Sequence, residues 1–176
     1  MEALKYPIGR FQSQASYTQE EVKRFVNDIR RLPALLEMTV QNLDQAQLNT
    51  PYRPEGWTVT QLVHHVADSH MNAYIRLKLT LTEDKPTIKP YEEAEWAKLP
   101  DTAANPINVS LTLLHALHRR WVSIFDNMEP EQWERSFIHP ATGEEINLKK
   151  LAALYSWHGM HHLTHIRKLK ERMNWQ

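Results

Sequence analysis

Residues 147–173, NLKKLAALYSWHGMHHLTHIRKLKERM, decide how this chain folds. Asn147 suits an N-cap, because its short amide can accept from the free N–H groups of a first helical turn. The residues after it keep helical spacing to about Met173. At about 100° per residue, Leu151, Leu154, Tyr155, His158, His162, His165 and Leu169 share one face, while Met160 and Thr164 point away. The segment is an amphipathic helix whose apolar stripe is interrupted by imidazoles.

Three further long helices lie upstream. Thr18 with Glu21 is a capping-box signature, and Val22, Phe25, Val26, Ile29, Leu32, Leu35, Leu36 and Val40 follow at helical spacing. Pro33 is expected to break or kink that helix, since it lacks a backbone donor. The loop NTPYRPEG (residues 49–56) leads to a second capping signal, Thr58 with Gln61, and a helix over residues 59–81. A connection over residues 82–106 carries one short helix at 91–97, and its length suggests that it covers a pocket or a subunit contact. The third helix, residues 107–127, has the stripe Leu111, Leu114, His118, Trp121, Val122 and Phe125. FIHPATGEEIN (residues 137–147) reads as a hairpin around Thr142 and Gly143. Residues 1–17 lack periodicity and read as an extended arm. The fold class is all-α: one domain over residues 1–176, a four-helix bundle with a short β-hairpin before the last helix.

Composition narrows the function. In 176 residues, 21 basic side chains balance 21 acidic ones, which disfavours nucleic acid and anionic membranes as partners. With no cysteine there are no disulfides and no thiolate ligands, so a metal would have to be held by imidazole and oxygen. No apolar run is long enough for a membrane span and the first residues show no signal-peptide core, so a cytoplasmic protein is expected. The ten histidines stand out.

His158 and His162 lie one turn apart on one face, a spacing that suits two imidazoles on one metal. Crowded imidazoles on a buried stripe resist protonation, and a shared cation satisfies them together. His161 sits at the edge of the face. A third ligand must come from elsewhere, and residues 59–81 offer His64, His65 and His70. His64 lies nearly opposite the apolar stripe and should face solvent, as should His139; His70 and His118 fall inside stripes and should be packed. His65 begins a polar line with Asp68, Ser69, Asn72 and Arg76, either a solvated face or the polar wall of a pocket. Asp68 could orient the His65 ring. Periodicity alone does not choose among these histidines.

The segments YPIG (6–9), TPYRPEGWTVTQLVHHVADSHMNAYIR (50–76), LHALHRRW (114–121), FIHPATGE (137–144) and LYSWHGMHHLTHI (154–166) together resemble the YfiT-like branch of the DinB-like metalloprotein superfamily. The resemblance spans nearly the whole chain. It implies a four-helix bundle and a divalent metal, usually zinc and sometimes nickel, on three histidines that match His65, His158 and His162 here. It also implies a homodimer and a metal-dependent hydrolase of small molecules.

No glutamate separates His158 and His162 as in H-E-x-x-H proteases, which leaves Asp68, His161, His165 or His118 to carry protons. Relatives that transfer low-molecular-weight thiols suggest an alternative, with Arg53, Arg76 or Arg119 holding the cosubstrate's carboxylates; a third reading is a non-catalytic metal-binding stress protein. The six tryptophans read as core and junction packing, Trp157 excepted, and Glu92, Glu93 and Glu95 as a solvated face.

Overall fold

The capping signals form as the sequence suggests. Thr18 Oγ1 accepts from the Glu21 N–H at 3.2 Å while the Glu21 carboxylate accepts from the Thr18 N–H at 2.8 Å. Thr58 and Gln61 exchange the same pair of bonds at 3.1 and 3.0 Å. Asn147 Oδ1 accepts from the Lys150 N–H at 2.9 Å. The computed structural model describes residues 2–176. Its helices are α1 (Glu2–Lys5), α2 (Gln19–Val40), α3 (Gln45–Leu48), α4 (Val59–Thr82), α5 (Glu93–Trp96), α6 (Pro100–Ala104), α7 (Ile107–Phe125) and α8 (Leu148–Met173). A 3-10 turn (Pro130–Glu134) and the antiparallel strands β1 (Ser136–His139) and β2 (Glu144–Asn147) lie between α7 and α8.

The long helices α2, α4, α7 and α8 make a four-helix bundle, and what each end packs against gives their directions. One apolar cluster joins Val22, Phe25 and Ile29 of α2, Ala73 and Leu77 of α4, Trp121 and Phe125 of α7, and Leu148 and Leu151 of α8. A second joins Leu32 and Leu36, Leu62 and Val66, Leu111 and Leu114, and Leu163 and Ile166 of the same helices. The early halves of α2 and α8 therefore lie beside the late halves of α4 and α7: α2 and α8 run one way, α4 and α7 the other. Successive helices α4 and α7 are parallel, so the chain must return the length of α4, roughly 36 Å at the helical rise. This return accounts for the long connection, which holds α5 and also α6, an element absent from the sequence reading. Between the two clusters, at one level, sit His70, His118 and His158.

Two backbone expectations are corrected. The break expected at Pro33 does not occur, for α2 is continuous from Gln19 to Val40 with Pro33 buried inside it. The carbonyl that Pro33 deprives of a donor, Ile29 O, instead accepts from His118 Nδ1 at 2.6 Å, which offsets the usual penalty of a mid-helix proline. The N-terminal arm is not extended throughout, for residues 2–5 form the helical turn α1.

Gly159 marks the close approach of α8 to α2. A Cβ placed there would lie 2.5 Å from Leu32 Cδ2, inside a packed core where Leu32 is 2% exposed. Gly159→Ala is expected to destabilise the fold by about 1–3 kcal/mol, overcoming the roughly 1 kcal/mol that alanine gains in a helix. Thermal unfolding checks this; an unchanged or raised Tm would mean that Leu32 can yield.

Candidate metal centre

Midway along the bundle, α4 contributes His65 and α8 contributes His158 and His162. One ring nitrogen from each lies within 4.8 Å of the others. His158 Nε2 and His162 Nε2 are 3.2 Å apart, and the His65 ring centroid is 5.4 Å from that of His158 and 4.9 Å from that of His162. Burial, reinforced by the neighbouring imidazoles, holds His158 and His162 well below the ordinary histidine range and lowers His65 to about 4. All three rings are thus neutral at physiological pH and offer lone pairs.

This donor set fits a divalent metal. Two ligand nitrogens at about 2.0–2.1 Å from one tetrahedral ion stand a little over 3 Å apart, as Nε2 of His158 and of His162 do here. An all-imidazole set suits zinc, nickel or a similar borderline ion rather than magnesium or calcium. Among the described residues no fourth acidic or imidazole group joins the three, so a bound ion would keep an open position.

The three histidines line a cavity of about 530 Å³. Its wall is assembled from four places in the chain: Lys5 and Tyr6, then Tyr52, Arg53 and Trp57, then Glu93 of α5, and Trp157 with His161 of α8. Trp57 stands over His65 with centroids 4.5 Å apart, so its role at the cavity was missed when it was read as junction packing. Trp157 stacks on His161 at 4.6 Å and donates from Nε1 to Gly9 O at 3.2 Å, which ties the N-terminal arm over the site. Glu93, read as part of a solvated face, is an exposed residue that also lines the cavity, and partial desolvation raises its pKa.

The remaining singled-out residues divide. His161 lines the cavity and pairs with His165, Nε2 to Nε2, at 3.1 Å. Burial lowers their pKa values to about 4 and about 3. His165 lies behind His161, 4.1 Å from the Tyr52 ring, and is not part of the wall. Asp68 is not brought to His65: the His65 Nδ1 atom is buried without a hydrogen-bond partner among the described residues, and Asp68 does not line the cavity. Burial, with Asp101 nearby, raises the Asp68 carboxyl to about 6. Arg119 lies in a separate surface groove with Arg30 and Asp126. His70 and His118 are packed, at 0% and 2% exposure.

His64 does not face solvent. It is buried, donates from Nε2 to Asn105 O at 3.2 Å, and has Nδ1 2.7 Å from Ser110 Oγ. The helical wheel misplaces it because α4 is covered on a second side by the crossover and the start of α7. His139, the other histidine expected in solvent, is half-buried in β1.

Comparison with known proteins agrees with this architecture. The DinB superfamily model matches residues 28–166. A Bacillus mycoides protein, provisionally named a metal-dependent hydrolase, is 51% identical over 175 residues, covering 99% of this chain and 100% of its own. The solved structure of YfiT from Bacillus subtilis, described with the same provisional activity and an unusual four-helix bundle topology, superposes with a TM-score of 0.96 at 44% identity over 99% of both chains. A mycothiol-dependent maleylpyruvate isomerase shares the fold alone, with a TM-score of 0.66 at 16% identity over 82% of this chain and 60% of its own. Sequence and structure agree that the chain belongs to the DinB superfamily, with YfiT among its relatives.

Proposed function

We propose that this protein is a metal-dependent hydrolase of small molecules, with zinc the first choice of metal and His65, His158 and His162 its ligands. The observation that carries the reading is the convergence of three neutral imidazoles, with no fourth ligand among the described residues, on a cavity large enough for a small substrate. A bound metal supplies a Lewis acid that lowers the pKa of whatever nucleophile fills its open position. The chain's own residues do the rest. Trp57 and Trp157 restrict the His65 and His161 rings and wall the cavity with apolar surface. His161 and Glu93 are the proton carriers that line it, and His165 can exchange a proton with the site only through His161. Burial raises the Glu93 pKa, which makes its carboxylate a stronger base, and this suits a group that takes a proton from the nucleophile and returns it to the leaving group.

A second reading, transfer of a low-molecular-weight thiol, is favoured by Lys5 and Arg53 on the cavity wall, two cations that suit the carboxylates of such a cosubstrate. Assays of the zinc-loaded protein against ester and amide panels, and against a thiol with an electrophile, discriminate the two. In whichever assay is positive, Glu93→Gln is expected to lower kcat/KM by about 10²–10⁴-fold at unchanged zinc content. A wild-type rate would remove Glu93 from the mechanism. Activity in neither assay would turn the reading toward a non-catalytic metal protein.

A further inference from the structure

Proline 33 donates no backbone hydrogen bond, so the carbonyl of Ile29, one turn earlier, has no partner within α2. It accepts from His118 Nδ1 at 2.6 Å. A carbonyl oxygen can only accept, so the proton of His118 is on Nδ1 and its Nε2 carries a lone pair. His118 Nε2 is 2.9 Å from His70 Nδ1, which must then be the donor, and the two ring planes are within 12°. His70 Nε2, left with a lone pair, is 3.1 Å from His158 Nδ1, which must be the next donor. Among the described residues the hydrogen-bond partners of His70 and His118 include no carboxylate, so each ring keeps a single proton. One acceptor-only group at the far end thus sets three tautomers in succession.

We infer that His118 and His70 are positioning residues: the relay from Ile29 O, freed by Pro33, through both rings holds His158 as its Nδ1–H tautomer and turns the Nε2 lone pair to the metal position. Ligand imidazoles are commonly oriented by a carboxylate or a backbone carbonyl directly behind them. Here the carbonyl acts through two further rings, which span α2, α7 and α4 to reach α8. The other two candidate ligands have no such support, for Nδ1 of His65 and of His162 is buried without a hydrogen-bond partner among the described residues. His158 is therefore the ring whose tautomer and plane are set in advance, and the others complete the site around it.

The metal part of this inference rests on the ligand set proposed above; the tautomer part does not. In metal-free, 15N-labelled protein, two- and three-bond 15N–1H correlations should give Nδ1–H for His118, His70 and His158. An Nε2–H tautomer at any of the three overturns the relay whether or not a metal binds. Zinc dissociation constants, measured by competition with a chromophoric chelator, then test its effect. His118→Gln keeps a donor for Ile29 O and an acceptor for His70 and should stay within a few-fold of wild type. His118→Leu keeps neither and should bind zinc about 10–100-fold more weakly. A simple loss of core packing would not produce that split between glutamine and leucine, and equal affinities would overturn the role. Should His118→Leu not fold, the wild-type tautomers decide. Correct tautomers in a protein that binds no divalent metal would instead sink the ligand assignment and leave the relay as a structural device.

Discussion

His162→Ala is expected to abolish stoichiometric divalent metal binding while leaving the bundle folded. Structural zinc sites with four ligands bind with about 10–16 kcal/mol, so each ligand accounts for about 3 kcal/mol or more, and losing one weakens binding more than a hundredfold. The loss is sharper in a three-ligand site, because two imidazoles from different helices hold a hydrated ion poorly. The fold should survive, since the two apolar clusters of the bundle pack without His162. Emission spectroscopy for metal content and circular dichroism for fold check both halves. His64→Ala is the matched control. His64 is also a buried histidine of the bundle, but its partners are Ser110 and Asn105, so its loss should cost about 1–3 kcal/mol of stability and no metal. Full metal content in His162→Ala, or equal loss in both variants, would sink the three-histidine assignment.

The contrast between these histidines shows where the sequence is informative. Periodicity and capping residues are local, and they gave α2, α4, α7, α8 and the hairpin with small boundary errors: α7 ends at Phe125 and not at 127, and α4 reaches Thr82 and not 81. Periodicity also placed His158 and His162 together, because both lie on one helix. It read His64 wrongly, since a single helical wheel cannot anticipate that a crossover covers a helix from a second side. The break expected at Pro33 fails for a related reason. Its local effect, a lost donor, was read correctly, but the compensating donor comes from His118, 89 residues away from Ile29 in the chain. Trp57 and Glu93 became cavity residues through tertiary contacts alone. The residue type of Glu93 was a signal, but nothing near it in the chain aims it at α8.

Placing so many imidazoles in the middle of the core has a consequence for acid stability that is larger than any single substitution. Burial, first among the causes, lowers His65, His118 and His161 to about 4 and His165 to about 3, and holds His70, His158 and His162 well below the ordinary histidine range. The unfolded chain protonates near the ordinary value of about 6.5. Above that pH both states are neutral and these groups contribute nothing; as pH falls below it the unfolded state takes up protons that the folded state refuses, so stability is lost with falling pH. At pH 5 His65, His118, His161 and His165 each cost about 2 kcal/mol, at 1.36 kcal/mol per pH unit. Those four alone, acting independently, would cost about 8 kcal/mol, comparable to the whole 5–15 kcal/mol of a typical domain, and His70, His158 and His162 act in the same direction. Pairs such as His161 and His165 can share one proton, and Asp68, raised to about 6, works in the opposite direction, so the sum is an upper bound. Metal-free protein should therefore unfold between about pH 6.5 and 4.5, and excess zinc should shift the midpoint to lower pH, because a ligand of the native state adds stability by mass action until protons displace it. Circular dichroism against pH, with chelator and with zinc, checks this. A metal-free protein that keeps its helices to pH 4, or a midpoint that zinc does not move, would show that the imidazoles are not held neutral in the core as their burial requires.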